Sequence, residues 1–261
     1  MIYCYTPSSQ HLAKETDYVF KPEVYCDGAY NVVIPSDWAQ QSITLVHNCR
    51  DHNDWILLYF LVMELGIKGC LVHVILPYIS YGRQLPEYLT TLLLPLQQSH
   101  VKSIKTFDLH QPLDGIHNQC LSPLIAEDIK SRSLGDMVLI APDEGSVQRV
   151  KHVAESLNVP VIALLKKRDA GHVFITPNEP FPQGKIAVIV DDMVDTGSTL
   201  KACANYLISA GAAAVHVYAT HGVLSYGLGD WTQPFASITF LNTLPSIDGD
   251  ARWISIHEVI K

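Results

Sequence analysis

The sequence predicts an α/β protein made of two similar domains, each a mainly parallel sheet flanked by helices. Three observations carry this. Short β-branched runs alternate with helix-length segments along the 261 residues. The runs are apolar at consecutive positions, as in strands covered on both faces. The pattern is also doubled, because each half carries strand–helix–strand units with polar loops after its strands.

The elements follow in order. Ser42–His47 reads as a strand and Asn53–Leu65 as the helix after it, with Gly66 placed to end that helix as a left-handed cap. A strand over Leu71–Leu76, a helix over Tyr88–His100 and a strand over Ser103–Asp108 complete the first half. The second half begins with a helix over Ser122–Ser131, a strand over Met137–Ile140, a helix over Ser146–Leu157 and a strand over Val159–Leu164. A strand over Ile186–Val190, a helix over Thr199–Ala210 capped by Gly211, and a strand over Ala214–Ala219 follow. The expected domains are residues 1–122 and 123–261, with the last residues packing back on the first.

Composition narrows the function. Apolar residues make up 48 % and charged ones 17 %, the balance of a folded globular chain. The net charge is -8 and the 18 Lys and Arg form no long run, so a nucleic-acid partner is not expected. An anionic substrate must then be captured locally, by a focused site or a metal. The opening MIYCYTPSSQ has no basic stretch leading into an apolar core, so no signal peptide is expected. The richest apolar segment, Trp55 to Leu65, is interrupted by Glu64 and too short to span a bilayer. Six cysteines without a CxxC pair read as reduced thiols. Together these fit the cytoplasm, and no membrane partner is expected.

The segment IAVIVDDMVDTGSTL is the most informative. A buried strand ends, and Asp191, Asp192, Asp195, Thr196, Gly197, Ser198 and Thr199 lead into a helix. Small residues let backbone N–H groups approach a phosphate, and the helix N-terminus adds unpaired donors and a favourable dipole. The adjacent carboxylates would repel phosphate. They suit ribose hydroxyls, which donate to carboxylates, or a magnesium-bound sugar.

This segment resembles the 5-phosphoribosyl-1-diphosphate motif shared by type I phosphoribosyltransferases and ribose-phosphate diphosphokinases. The motif implies that phosphoribosyltransferase-like fold in both domains and a site for ribose and its 5-phosphate. From about Val24 to Pro245 the chain resembles the diphosphokinases in several collinear pieces. CRDHNDWILLYFLVMELG is similar to a family helix preceded by an Asn–Asp pair, here Asn53 and Asp54. LPYISYGRQ resembles the stretch whose Arg83 and Gln84 would contact ATP. FDLH would place His110, as an ATP-phosphate and magnesium contact, in the catalytic set. APDEGSVQRV is similar to the diphosphate loop, with Asp143 as a magnesium ligand. ALLKKRD matches the start of the mobile catalytic loop, with Lys166 and Arg168 as catalytic cations. YATHGVLS looks like a further family segment.

The resemblance implies transfer of diphosphate from ATP to the anomeric hydroxyl of a ribose 5-phosphate group, with Mg²⁺ as cofactor and AMP as the other product. One domain would present ATP and the other the sugar. The family's ATP loop, Phe-x-Asp-Gly-Glu, serves a neighbouring subunit, so a homodimer or higher homo-oligomer is expected. Here it reads Tyr25, Cys26, Asp27, Gly28, Ala29, which keeps Tyr25 and Asp27 for ATP but lacks the Glu. The basic loop usual after Arg-Gln is replaced by Leu85, Pro86 and Glu87 leading into a helix. The chain also ends on RWISIHEVIK, shorter than usual for the family, so contacts for hexamer assembly are expected to be missing. These departures admit a larger acceptor such as ADP-ribose. A non-catalytic synthetase-like partner and a phosphoribosyltransferase are the alternatives from other classes.

Overall fold

The first half of the chain forms β1 (Ile2–Tyr5), β2 (Tyr18–Val19), β3 (Glu23–Val24), β4 (Tyr30–Asn31), β5 (Ser42–Val46), α1 (His52–Ile67), β6 (Leu71–Leu76), α2 (Pro86–Gln97), β7 (Val101–Phe107) and β8 (His117–Gln119). It continues with α3 (Ser122–Arg132), β9 (Met137–Ala141), α4 (Val147–Leu157), β10 (Val161–Asp169), β11 (His172–Pro177) and β12 (Ile186–Val194). Then come α5 (Ser198–Ser209), β13 (Ala214–Gly222), β14 (Ser237–Leu241), β15 (Ala251–Ile254) and α6 (His257–Ile260). This is a computed structural model, which describes residues 2–169 and 172–261, with side chains except those of 165–169, 172–176, 230 and 231.

Two compact units result. The first takes Met1–Gln119, Thr243–Pro245 and Ile256–Lys261; the second takes Cys120–Asn242 and Ser246–Ser255.

In the first unit a six-stranded sheet runs β2-β1-β5-β6-β7-β8, with every pairing parallel. Parallel neighbours need crossovers, and α1 and α2 supply those from β5 to β6 and from β6 to β7. Leu58, Leu61 and Leu65 of α1 and Leu89, Leu93 and Leu96 of α2 join Leu45, Val72 and Val74 in one buried cluster. Each such leucine contributes about 2 kcal/mol on leaving water. The strands β3 and β4 form a separate antiparallel hairpin.

The second unit's sheet runs β11-β10-β9-β12-β13-β14-β15 and is parallel except for the antiparallel pair β10–β11. Its core joins Val138, Ile140, Ile189 and Val217 to Leu200, Cys203 and Leu207 of α5.

Three local expectations are corrected. Gly66 lies inside α1 and has no left-handed backbone; the left-handed glycine is Gly69, with φ 73°. A Cβ at Gly66 would come within 2.3 Å of the His100 ring, which would have to move aside. The strand β12 runs on to Val194, so Asp191 and Asp192 sit within a strand and not in the loop after it. Pairing with β13 carries it on, with Asp191 opposite Ala219 and Val194 opposite Gly222. Lastly, Lys166 and Arg168 lie in β10 rather than a loop, because from Leu164 onward the strand is held by β11. Their side chains lie outside the described residues.

All six cysteines are free, four of them buried and Cys26 and Cys120 exposed. No helix among the described residues is long and apolar enough to cross a membrane.

Candidate active site

In the second unit the chain leaves β9 to build β10 on one side, then returns to place β12 on the other. The carboxyl ends of β9 and β12 therefore flank a topological switch point, where open parallel sheets leave a crevice for ligands. The sequence puts Asp143 just after β9, and Asp191 to Thr199 at the end of β12 and the start of α5.

Asp143 is fixed by its own loop. Its Oδ1 accepts the Ser146 N–H at 3.0 Å, and the Ser146 hydroxyl donates to the Asp143 carbonyl at 2.9 Å. The Asp191 carboxylate accepts the Asp192 N–H at 2.9 Å, and Asp192 accepts the Met193 N–H at 2.7 Å. Burial pushes the Asp191 carboxyl well above the usual carboxylate range, and the charges of Asp192 and Asp143 push it further. Asp191 thus lies within electrostatic reach of Asp192 and Asp143, which suits hydroxyl donors beside it.

The balancing charge is Arg149, in the first turn of α4. Its Nη2 lies 4.0 Å from Asp192 Oδ2, with both side chains largely buried. Its Nε is buried with no hydrogen-bond partner among the described residues. Sequence reasoning missed this residue. The available signal was a basic residue in the first turn of the helix that follows Asp143.

Beyond β12, Asp195 Oδ1 accepts the Ser225 N–H at 3.0 Å, and the Thr196 hydroxyl donates to Ser198 Oγ at 3.2 Å. Gly197 caps α5 with φ 69°, a conformation that suits glycine. Its small neighbours leave the first N–H groups of α5 approachable.

The first unit has its switch point between β1 and β5. There the ends of the strands carry a buried polar network instead of a phosphate loop. Asn48 accepts the Tyr78 N–H at 2.8 Å and donates to the carbonyls of Ser8 and Thr243. His47 Nδ1 lies 2.9 Å from Thr6 Oγ1.

The expected ATP residues lie on loops of this unit. Arg83 and Gln84 are exposed in the turn after β6, closed by Gln84 N–H on the Tyr81 carbonyl at 2.9 Å. His110 is exposed two residues beyond Asp108, whose φ of 42° turns the chain at the end of β7. Tyr25 and Asp27 stand at the tip of the β3–β4 hairpin, where Asp27 accepts the Ala29 N–H at 3.1 Å. Two of these loops reach the first turn of α1: Tyr30 donates to the Asn53 carbonyl at 3.4 Å, and Tyr81 Oη lies 2.9 Å from His52 Nδ1. His110 belongs to the first unit and Asp143 to the second.

The second unit's loop and sheet define a phosphoribosyltransferase-type module, and residues 122–235 match the phosphoribosyl transferase domain family. Over the whole chain the fold matches a phosphoribosylpyrophosphate synthetase from Mycobacterium smegmatis with a TM-score of 0.85, at 22 % identity, covering 100 % of this chain and 96 % of that one. A ribose-phosphate pyrophosphokinase of Caldanaerobacter subterraneus is 33 % identical over 221 residues, 77 % of this chain and 69 % of that protein. The ribose-phosphate pyrophosphokinase 1 of Lactococcus lactis is 34 % identical over 221 residues, 77 % of this chain and 68 % of that protein. The chain belongs to the ribose-phosphate pyrophosphokinase family.

Proposed function

We propose that this chain transfers diphosphate from ATP to the anomeric hydroxyl of a ribose 5-phosphate group, forming a phosphoribosyl diphosphate and AMP. The observation that carries this reading is that Asp143 follows β9 while Asp191–Thr199 close β12 and open α5, at one switch point. The anomeric oxygen bonds to the β-phosphorus, the bond from that phosphorus to the AMP oxygen breaks, and the hydroxyl proton is released.

Each residue has a role suited to its chemistry. Asp191 and Asp192 accept hydrogen bonds from the ribose hydroxyls and orient the acceptor. The N–H groups and hydroxyls of Thr196, Gly197, Ser198 and Thr199 hold the 5-phosphate, and Asp195 shapes their loop. Arg83 and Gln84 bind ATP, joined by Tyr25 and Asp27 of a neighbouring copy. Lys166 and Arg168, two apart in β10, neutralise charge on the group in transfer.

The donor set fits a magnesium ion that arrives with phosphate oxygens. No cluster of three His, Cys, Asp or Glu side chains able to hold a metal occurs among the described residues. Magnesium commonly takes one or two protein carboxylates and completes its shell with phosphate and water. In the second unit Asp143 would supply its carboxylate. When bound, the ion would offset the negative charge of the phosphate groups.

The working form is a homodimer or larger homo-oligomer in the cytoplasm. Release of AMP from ATP that depends on ribose 5-phosphate tests the reaction. ATP turnover indifferent to the sugar would contradict it.

A further inference from the structure

The loop after β13 carries an aromatic side chain that neither the fold nor the roles above use. Tyr226 is 85 % exposed, more than any other large hydrophobic side chain among the described residues. No hydrogen bond or ring contact among those residues holds it.

Its mount, by contrast, is firmly built. Val223 and Leu224 both donate their N–H groups to the Val194 carbonyl, at 2.8 and 3.2 Å. Ser225 donates to the Asp195 carboxylate at 3.0 Å. Gly227 closes a turn on the Leu224 carbonyl at 2.8 Å, which leaves Ser225 and Tyr226 at its two corners. The turn is pinned on both sides by buried leucines, Leu224 and Leu228, in the core of the second unit. Leu224 accepts a φ of 49° to do so, a conformation unfavourable for a side chain branched beyond Cβ. The loop that presents Tyr226 is thus stitched to the last residue of β12 and to the first acid of the phosphoribosyl loop.

We propose that Tyr226 is a specificity-determining residue for the acceptor, a stacking platform for a planar base carried beyond the 5-phosphate. This rests on the reading of Asp191–Thr199 as the phosphoribosyl site. Ribose 5-phosphate itself has nothing beyond its phosphate for an aromatic ring to meet. A ribose 5-phosphate group esterified through that phosphate to a nucleoside does, and its anomeric hydroxyl remains free. Tyr226 lies one Cα step, ~3.8 Å, from the residue that Asp195 holds, so its backbone stands beside the phosphate loop, within reach of the ring. An aromatic face stacks on a base of any identity, and the Tyr face is open to it.

The test compares two acceptors by calorimetric titration of the full chain, ribose 5-phosphate and ADP-ribose, the second standing for the nucleotidyl class. The wild-type chain is expected to bind ADP-ribose more tightly. Tyr226→Ala should lower the ratio of the two affinities by roughly 5- to 150-fold, the span of one lost base–aromatic stack. Tyr226→Phe should keep the wild-type ratio, since it keeps the ring. A ratio unchanged in Tyr226→Ala, or no preference for ADP-ribose in the wild type, would overturn the role of Tyr226 and leave the phosphoribosyl site standing. Failure of the wild-type chain to bind either acceptor would overturn both.

Discussion

Asp195 holds the backbone N–H of Ser225 at 3.0 Å, and this one bond ties the phosphoribosyl loop to the loop after β13. Hydrogen bonds to a charged group are worth about 1.5–3 kcal/mol. Asp195→Ala is therefore expected to weaken ribose 5-phosphate binding on the order of ten-fold while changing kcat less. Asp195→Asn, whose amide oxygen still accepts, should recover most of that loss. Steady-state kinetics checks this. An asparagine variant no better than alanine would show that the charge acts directly on substrate.

Loss of Arg149 is expected to destabilise the second unit. Its guanidinium is the cation paired with Asp192, and removing one partner of a buried pair costs about 3–5 kcal/mol. Arg149→Met should lower urea-unfolding stability by that order. Adding Asp192→Asn should return part of it. Additive losses in the double variant would mean that the two side chains do not interact.

Lys166→Ala should cut kcat on the order of 100-fold or more and leave acceptor affinity nearly intact, as expected for a group acting on transition-state charge. Equal losses in binding and turnover would make β10 a structural strand only.

His47 gives the first unit a pH signature. Burial pulls its pKa from 6.5 down to about 4; Asp54 and Asp51 oppose this and Arg50 adds to it. The unfolded chain takes up a proton at this position near pH 6.5, while the folded chain refuses it until about 4. The stability from keeping His47 neutral is complete above pH 6.5 and is lost as pH falls toward 4. The gap corresponds to about 3 kcal/mol. His47→Gln should flatten the fall in stability over that window. An unchanged slope would place the acid sensitivity elsewhere.

The fold was legible where long parallel strands alternate with helices. Leu71–Leu76 is read to the residue, and α5 to within one residue at each end, because burial on both faces writes a continuous apolar run. What the sequence concealed is pairing. Nothing in KKRD says that Lys166 and Arg168 extend a strand, since β10 goes on only because His172–Pro177 returns antiparallel to it. Asp191 and Asp192 look like a loop by composition, yet β13 keeps them in a strand. Short strands such as β1 escape for a further reason: four residues are too few to show a period. Ser237–Leu241 carries a weaker β-branched signal, five residues long.

The site was legible as a set of local motifs, Asp143 and Asp191–Thr199 above all, because phosphate and ribose recognition need small residues and acids at fixed positions on one loop. Arg149 and Asn48 were not legible. Each acts through a partner far along the chain, Asp192 in one case and the Ser8, Tyr78 and Thr243 backbone in the other. Only folding brings such pairs together.

The most direct test of the central claim is phosphorus NMR of the reaction of the full chain with ATP, Mg²⁺ and ribose 5-phosphate. The account predicts AMP together with a diphosphate attached at the anomeric carbon, and no product when magnesium is chelated. Formation of ADP with a singly phosphorylated sugar, or no change in the spectrum with magnesium present, would contradict it.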